Sequence, residues 1–135
     1  CDMYSFKTKI RVRYAETDQM GFVYYGVYAQ YFEVGRVELL RSLGITYKEL
    51  ENLGFALPVV NYNIDYKKPA FYDDELTIET TIKETPSIKI IFNYRTLNEK
   101  GEILNTAETT LVFVDCKTKK PCQCPEFLTN KLKDI

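Results

Sequence analysis

From about Val27 to Leu43 apolar side chains recur with a helical period, and they do so on more than one face. Tyr28, Tyr31, Phe32, Gly35, Leu39 and Leu43 mark one stripe, and Val34, Val37 and Leu40 widen it. A helix that is apolar on most sides has to be covered on most sides. At ~1.5 Å per residue it would be about 25 Å long, so it needs a large partner surface. Gly35 lowers helix propensity by roughly 1 kcal/mol relative to alanine. A glycine there suits a point where a strand crosses the helix closely. On the remaining polar edge, Glu33 with Arg36 and Glu38 with Arg41 have i,i+3 spacing for ion pairs.

The rest of the chain supplies the covering surface. Residues 6–14 alternate, with Ile10, Val12 and Tyr14 on one side and Lys9, Arg11 and Arg13 on the other, the pattern of a half-buried strand. Gly44 ends the long helix. Thr46 and Glu49 then form a capping box for a short helix that Gly54 closes. Four strands follow. Pro58, Val60, Tyr62, Ile64 and Tyr66 alternate; Leu76, Ile78, Thr80 and Ile82 form the next face; Ile88, Ile90, Phe92, Tyr94 and Thr96 the third. Asn98–Gly101 reads as a hairpin loop, and Ile103–Asp115 as one long strand with Ala107, Leu111 and Phe113 inward. The tail from Lys117 is basic and broken by prolines, with a last short element over Glu126–Leu132. Short links between strands require an antiparallel sheet. One sheet curled around one buried helix is an α+β layout, and the 135 residues fit a single domain over 1–135.

Composition removes several kinds of chemistry. There is no histidine, so Ser-His-Asp and Cys-His catalysis and His-ligated zinc are excluded. Acid–base work falls to Asp, Glu, Tyr, Lys or Cys. A net charge of −1 gives no broad attraction to nucleic acid or anionic membranes. No apolar run approaches the ~20 residues of a membrane-spanning helix. The first residues lack the apolar stretch of a signal peptide, so a cytoplasmic protein is expected. Four cysteines, Cys1, Cys116, Cys122 and Cys124, invite a metal reading. The Cys122-Gln123-Cys124 spacing is too tight for a zinc pattern, and free thiols are expected instead, with no metal site.

The informative segment runs from Tyr14 to Glu33. It places the carboxylate of Asp18 in a loop just before the buried helix. The first backbone N–H groups of that helix, near Tyr25 and Gly26, have no intrahelical acceptor and carry the positive end of the helix dipole. Donors of this kind can hold a carbonyl oxygen and stabilise an oxyanion. A carboxylate beside them can attack the carbonyl or activate a water. Thr17-Asp18-x-x-Gly21 is equally a sound turn, with the aspartate bonding local backbone. Glu16 and Glu33 flank the segment, and Asp73 and Asp74 suit a turn before a strand.

The segment resembles the signature of the hot-dog-fold thioesterases, in particular the 4-hydroxybenzoyl-CoA thioesterase-like group that includes the Tol-Pal-associated acyl-CoA thioesterases. The matching pattern is Tyr14, Thr17-Asp18, Gly21, Val23-Tyr24, Tyr28, Tyr31-Phe32-Glu33 and Arg36. It continues through Gly44-Ile45, Leu57–Val60, Tyr66, Lys68-Pro69-Ala70 and Tyr72–Leu76. The resemblance implies a five-stranded antiparallel sheet wrapped around a long central helix. It implies acyl-CoA thioester hydrolysis in lipid metabolism, with Asp18 as the catalytic carboxylate and the backbone N–H of Tyr25 as oxyanion donor. Gly26 and Tyr28 would lie against the substrate. Lys67, Lys68 and Lys89, with Lys83, are the candidate cations for CoA phosphates. Coenzyme A would be part of the substrate, with no separate cofactor; an acyl carrier protein is the other carrier considered. Sites in this fold lie between two subunits, which implies a homodimer or homotetramer. Many members have Asn where this chain has Val27, so a non-catalytic acyl-binding protein is the alternative. Aspartic acids titrate near ~3.9, low for a base at neutral pH. A helix N-terminus favours the ionised form, which leans the role of Asp18 towards covalent attack.

Overall fold

The computed structural model describes residues 4–133. Its main sheet has five antiparallel strands in the order β1-β4-β5-β6-β3. The strands are β1 (Tyr4–Arg11), β3 (Val59–Tyr66), β4 (Glu75–Ile82), β5 (Lys89–Leu97) and β6 (Ile103–Val112). The helix α1 (Tyr28–Ser42) packs against β1 and β4. This is the α+β, helix-on-sheet architecture that the apolar pattern requires.

Strand β1 keeps its alternation but stops at Arg11. Tyr14 does not continue the inward face: it opens a 3-10 turn over Tyr14–Glu16 and is 77% exposed. The chain turns there because the Glu16 N–H bonds the Arg13 carbonyl and the Glu16 carboxylate accepts the Arg13 N–H, both at 2.9 Å.

On α1, Tyr28, Tyr31, Phe32, Gly35, Leu39 and Leu40 are buried as the period demands. Gly35 sits where β4 crosses: a Cβ there would lie 2.5 Å from Thr80 Oγ1 and 3.0 Å from Ile78 Cγ2. Two expectations for this helix are corrected. Val34 is exposed, because one sheet covers only one side of the helix within the chain. Arg36 does not pair with Glu33 on the polar edge. It lies four residues from both Phe32 and Leu40, on the buried stripe, and its Nε donates to the Tyr47 hydroxyl at 3.0 Å. Burial works against the Arg36 charge, but Tyr47 and Tyr94 favour it more. Glu38 and Arg41 do pair, at 3.7 Å.

Helix α2 (Tyr47–Asn52) begins as its sequence indicates, with Thr46 Oγ1 accepting the Glu49 N–H at 3.1 Å. The expected single strand over 103–115 is split. Strand β6 ends at Val112, and β7 (Val114–Asp115) joins β2 (Phe55–Ala56) and β8 (Lys120–Pro121) in a small second sheet. The break falls at Phe113, whose side chain stays in the core while its backbone changes partners. Its N–H bonds Ile88 O at 2.9 Å, and its carbonyl accepts from Cys122 N at 2.8 Å. Strand β3 is an edge, with seven of its eight residues exposed. Pro58 lies just before it rather than within it.

Helix α3 (Glu126–Lys133) adds Leu128 and Leu132 to the core cluster. Cys116, Cys122 and Cys124 are free thiols; the cysteine at position 1 lies outside the described residues. Among the described residues no three His, Cys, Asp or Glu side chains are grouped to hold a metal. No helix among them is long and apolar enough to cross a membrane.

Candidate active site

The segment before α1 folds into a tight loop held at both ends. Asp18 N–H bonds Phe22 O at 2.8 Å, and Gly21 N–H returns to Asp18 O at 3.0 Å. Gly21 takes φ +80°, a conformation that a side chain disfavours. Asp18 Oδ1 accepts the N–H groups of Met20 at 2.9 Å and Phe22 at 3.3 Å. The turn reading of Asp18 is therefore realised through one carboxylate oxygen. Its other oxygen makes no protein hydrogen bond among the described residues, and the side chain is exposed.

The loop is anchored from below. Val23 N–H bonds Ala70 O and Tyr24 N–H bonds Glu16 O, each at 2.9 Å. Glu16 is 7% exposed and accepts from the Arg13 guanidinium at 2.6 Å and from the Tyr31 hydroxyl at 2.8 Å. Burial would raise its pKa, but the Arg13 and Tyr31 hydrogen bonds prevail and hold it below the ordinary carboxylate value. Glu16 is thus a fastening between loop and helix. Glu33 is exposed on α1. Asp73 and Asp74 form the turn before β4, where Asp74 Oδ2 accepts the Phe71 N–H at 2.9 Å.

A second 3-10 turn, Tyr25–Val27, leads into α1. The Val27 N–H closes it onto Tyr24 O at 2.9 Å. The N–H groups of Tyr25 and Gly26 come before the first helical acceptor and have no partner inside the helix. Val27 is half-buried against the core and offers no polar side chain.

Asp18, Tyr25, Tyr28, Lys67 and Lys68 line one cleft of about 330 Å³, together with Phe22, Val23, Tyr66 and Pro69. Tyr28 forms its floor at 2% exposure, with burial first and Tyr66 second pushing its hydroxyl up to about 12. Lys67 pairs with Asp65 at 3.4 Å, and Lys68 pairs with Glu102. Lys89 is not brought to this cleft. It lines another, of about 370 Å³, with Lys83, Glu84, Asn93 and Glu108. Tyr66, the last residue of β3, is the addition: its hydroxyl donates to Tyr25 O at 3.0 Å. No local spacing links a strand tyrosine to a helix start; its place in the family-like pattern was the only signal.

The pattern of the thioesterase-like superfamily matches residues 12–132. The chain belongs to the thioesterase-like superfamily. YneP of Bacillus subtilis (strain 168) is 40% identical over 121 residues, covering 90% of this chain and 88% of its own. The acyl-CoA thioester hydrolase YbgC of Escherichia coli O6:H1 is 32% identical over 128 residues, covering 95% and 96%. The solved DHNA-CoA thioesterase from Staphylococcus aureus superposes with a TM-score of 0.84 at 37% identity, over 88% of this chain and 80% of that one. This thioesterase-like protein is accordingly a thioester hydrolase, and its helix-wrapping sheet is the hot-dog fold.

Proposed function

We propose that this chain hydrolyses acyl-CoA thioesters to a free acid and the CoA thiol, acting at the cleft beside Asp18. The single observation that carries this reading is the meeting of the Asp18 carboxylate, the open helix start at Tyr25 and the two lysines Lys67 and Lys68 in one cleft. The relatives named as acyl-CoA thioester hydrolases point to the same substrate class. The carbonyl oxygen would rest on the Tyr25 N–H, where the helix dipole favours negative charge. The acyl part would lie towards Gly26 and Tyr28, and the CoA phosphates towards Lys67 and Lys68.

Two routes balance. As nucleophile, Asp18 bonds to the carbonyl carbon, the C–S bond breaks and the thiolate leaves to take a proton from solvent. Water then cleaves the mixed anhydride and restores the carboxylate. As general base, Asp18 accepts a proton from the water that attacks the carbonyl carbon, the C–S bond breaks, and the leaving thiolate takes that proton and restores the carboxylate. The leaning is to the nucleophile, since Asp18 lines the same cleft as the helix start. The open edge of β3 supports a homo-oligomer, dimer or tetramer, in which a second copy completes the site.

A thiol-release assay across acyl-CoAs, with acyl carrier protein thioesters alongside, tests the reading. Asp18→Asn is expected to lower kcat by on the order of 10²-fold or more. Equal turnover by wild type and variant removes Asp18 from the mechanism. Acyl-CoA binding without turnover identifies an acyl-binding protein, the reading that the apolar Val27 favours. A single turnover in heavy-oxygen water separates the routes: label enters the Asp18 carboxylate only if it was the nucleophile.

A further inference from the structure

Tyr66 is the last residue of β3 and reaches over to the start of α1. Its hydroxyl donates to the Tyr25 carbonyl at 3.0 Å. Its ring stands edge-on to Tyr28, with centroids 5.8 Å apart. Burial, and then Tyr25, hold its hydroxyl above the ordinary tyrosine value, so it remains a donor at neutral pH.

The Tyr25 carbonyl and the Gly26 N–H are two ends of one planar peptide group. Fixing the direction of the oxygen fixes the N–H on the opposite side. A hydrogen bond to the oxygen also draws electron density from the nitrogen and strengthens the N–H as a donor. The space around Gly26 is tight: a Cβ would lie 3.0 Å from Tyr24 Cε2, and the Tyr24 ring leans on Tyr25 with centroids 4.5 Å apart. Tyr25 and Tyr66 both line the cleft that holds Asp18.

We propose that Tyr66 is a positioning residue, whose hydroxyl clamps the Tyr25–Gly26 peptide and so holds the first turn of the helix start with the Tyr25 N–H set for the thioester oxygen. This rests on the hydrolase reading of the cleft. The contribution of Tyr66 is confined to the state in which the carbonyl oxygen becomes an oxyanion, where donor strength and direction count most.

Tyr66→Phe tests it, because the ring against Tyr28 is kept and only the hydroxyl is lost. In the ligand-free protein the Gly26 amide proton resonance should move upfield. In acyl-CoA hydrolysis kcat should fall on the order of 10-fold, less than for loss of an oxyanion donor itself, while KM stays within about twofold. An unmoved Gly26 amide overturns the clamp. A moved amide with unchanged kcat overturns its catalytic use. Rise of KM alone makes Tyr66 a binding residue and overturns the positioning role. If the wild type turns over no thioester, the hydrolase reading itself fails and takes the positioning role with it. A wild type that is active, with Asp18→Asn inactive and Tyr66→Phe fully active, removes this inference alone.

Discussion

Glu16 Oε1 accepts the Tyr31 hydroxyl at 2.8 Å in a buried contact that ties the Asp18 loop to the long helix. The same carboxylate holds Arg13, so one side chain closes its own turn and fastens it to the helix. Tyr31→Phe should destabilise the fold by about 1–3 kcal/mol, read as a lower urea midpoint.

The Glu16 contact also has a pH signature. Its folded pKa lies below the ordinary value of 4.5. The unfolded state therefore takes up its proton first as pH falls. The stabilisation is full above that ordinary value and is lost as pH drops through the lowered folded value. Glu16→Gln cannot titrate there. Urea midpoints of wild type and Glu16→Gln should differ at neutral pH and converge on acidification; a gap that widens in acid would refute the sign.

Gly35 and Thr80 meet so closely that a methyl group does not fit between them. Gly35→Ala should destabilise by about 1–3 kcal/mol through overpacking, although alanine is the better helix former. Thr80 Oγ1 is buried without a hydrogen-bond partner. Removing it is therefore cheap, and Gly35→Ala with Thr80→Ala should recover part of the loss. A double-mutant cycle in urea that shows simple additivity would contradict the contact.

Lys68 faces both the cleft and Glu102, which holds it in an ion pair. Lys68, then Asn98, in turn keep the Glu102 carboxyl below its ordinary range. For a CoA phosphate the two residues act in opposite directions. Lys68→Ala should raise KM several-fold and Glu102→Gln should lower it, with kcat little changed in both. Both effects should shrink at high salt, since the groups are solvent-facing. Steady-state kinetics at low and high ionic strength check all three signs.

Much of this molecule is legible one segment at a time. The helical period over Val27–Leu43, the Thr46 cap, the Asn98–Gly101 hairpin and the alternation of Leu76–Ile82 are local patterns, and local sterics and burial produce them directly. The position of Asp18 just ahead of a helix start is legible for the same reason. Periodicity states that a face is apolar but not which neighbour covers it. Val34 and Arg36 show the difference: an apolar residue faces out and a cation faces in, because one sheet covers one side and two tyrosine hydroxyls receive the guanidinium. Phe113 shows it again, where a run that alternates like one strand changes sheets.

The absence of histidine and the place of Asp18 ahead of a helix start were set by the sequence alone, and with them the restriction of acid–base work to Asp, Glu, Tyr, Lys or Cys. Which groups stand beside Asp18 was decided only by the tertiary structure. Lys67 and Lys68 reach the cleft, Lys89 lies in another, and Tyr66 touches the Tyr25 carbonyl because β6 pairs with β3 at the sheet edge. Such meetings depend on how distant segments pack, and side-chain spacing along a chain carries no record of that.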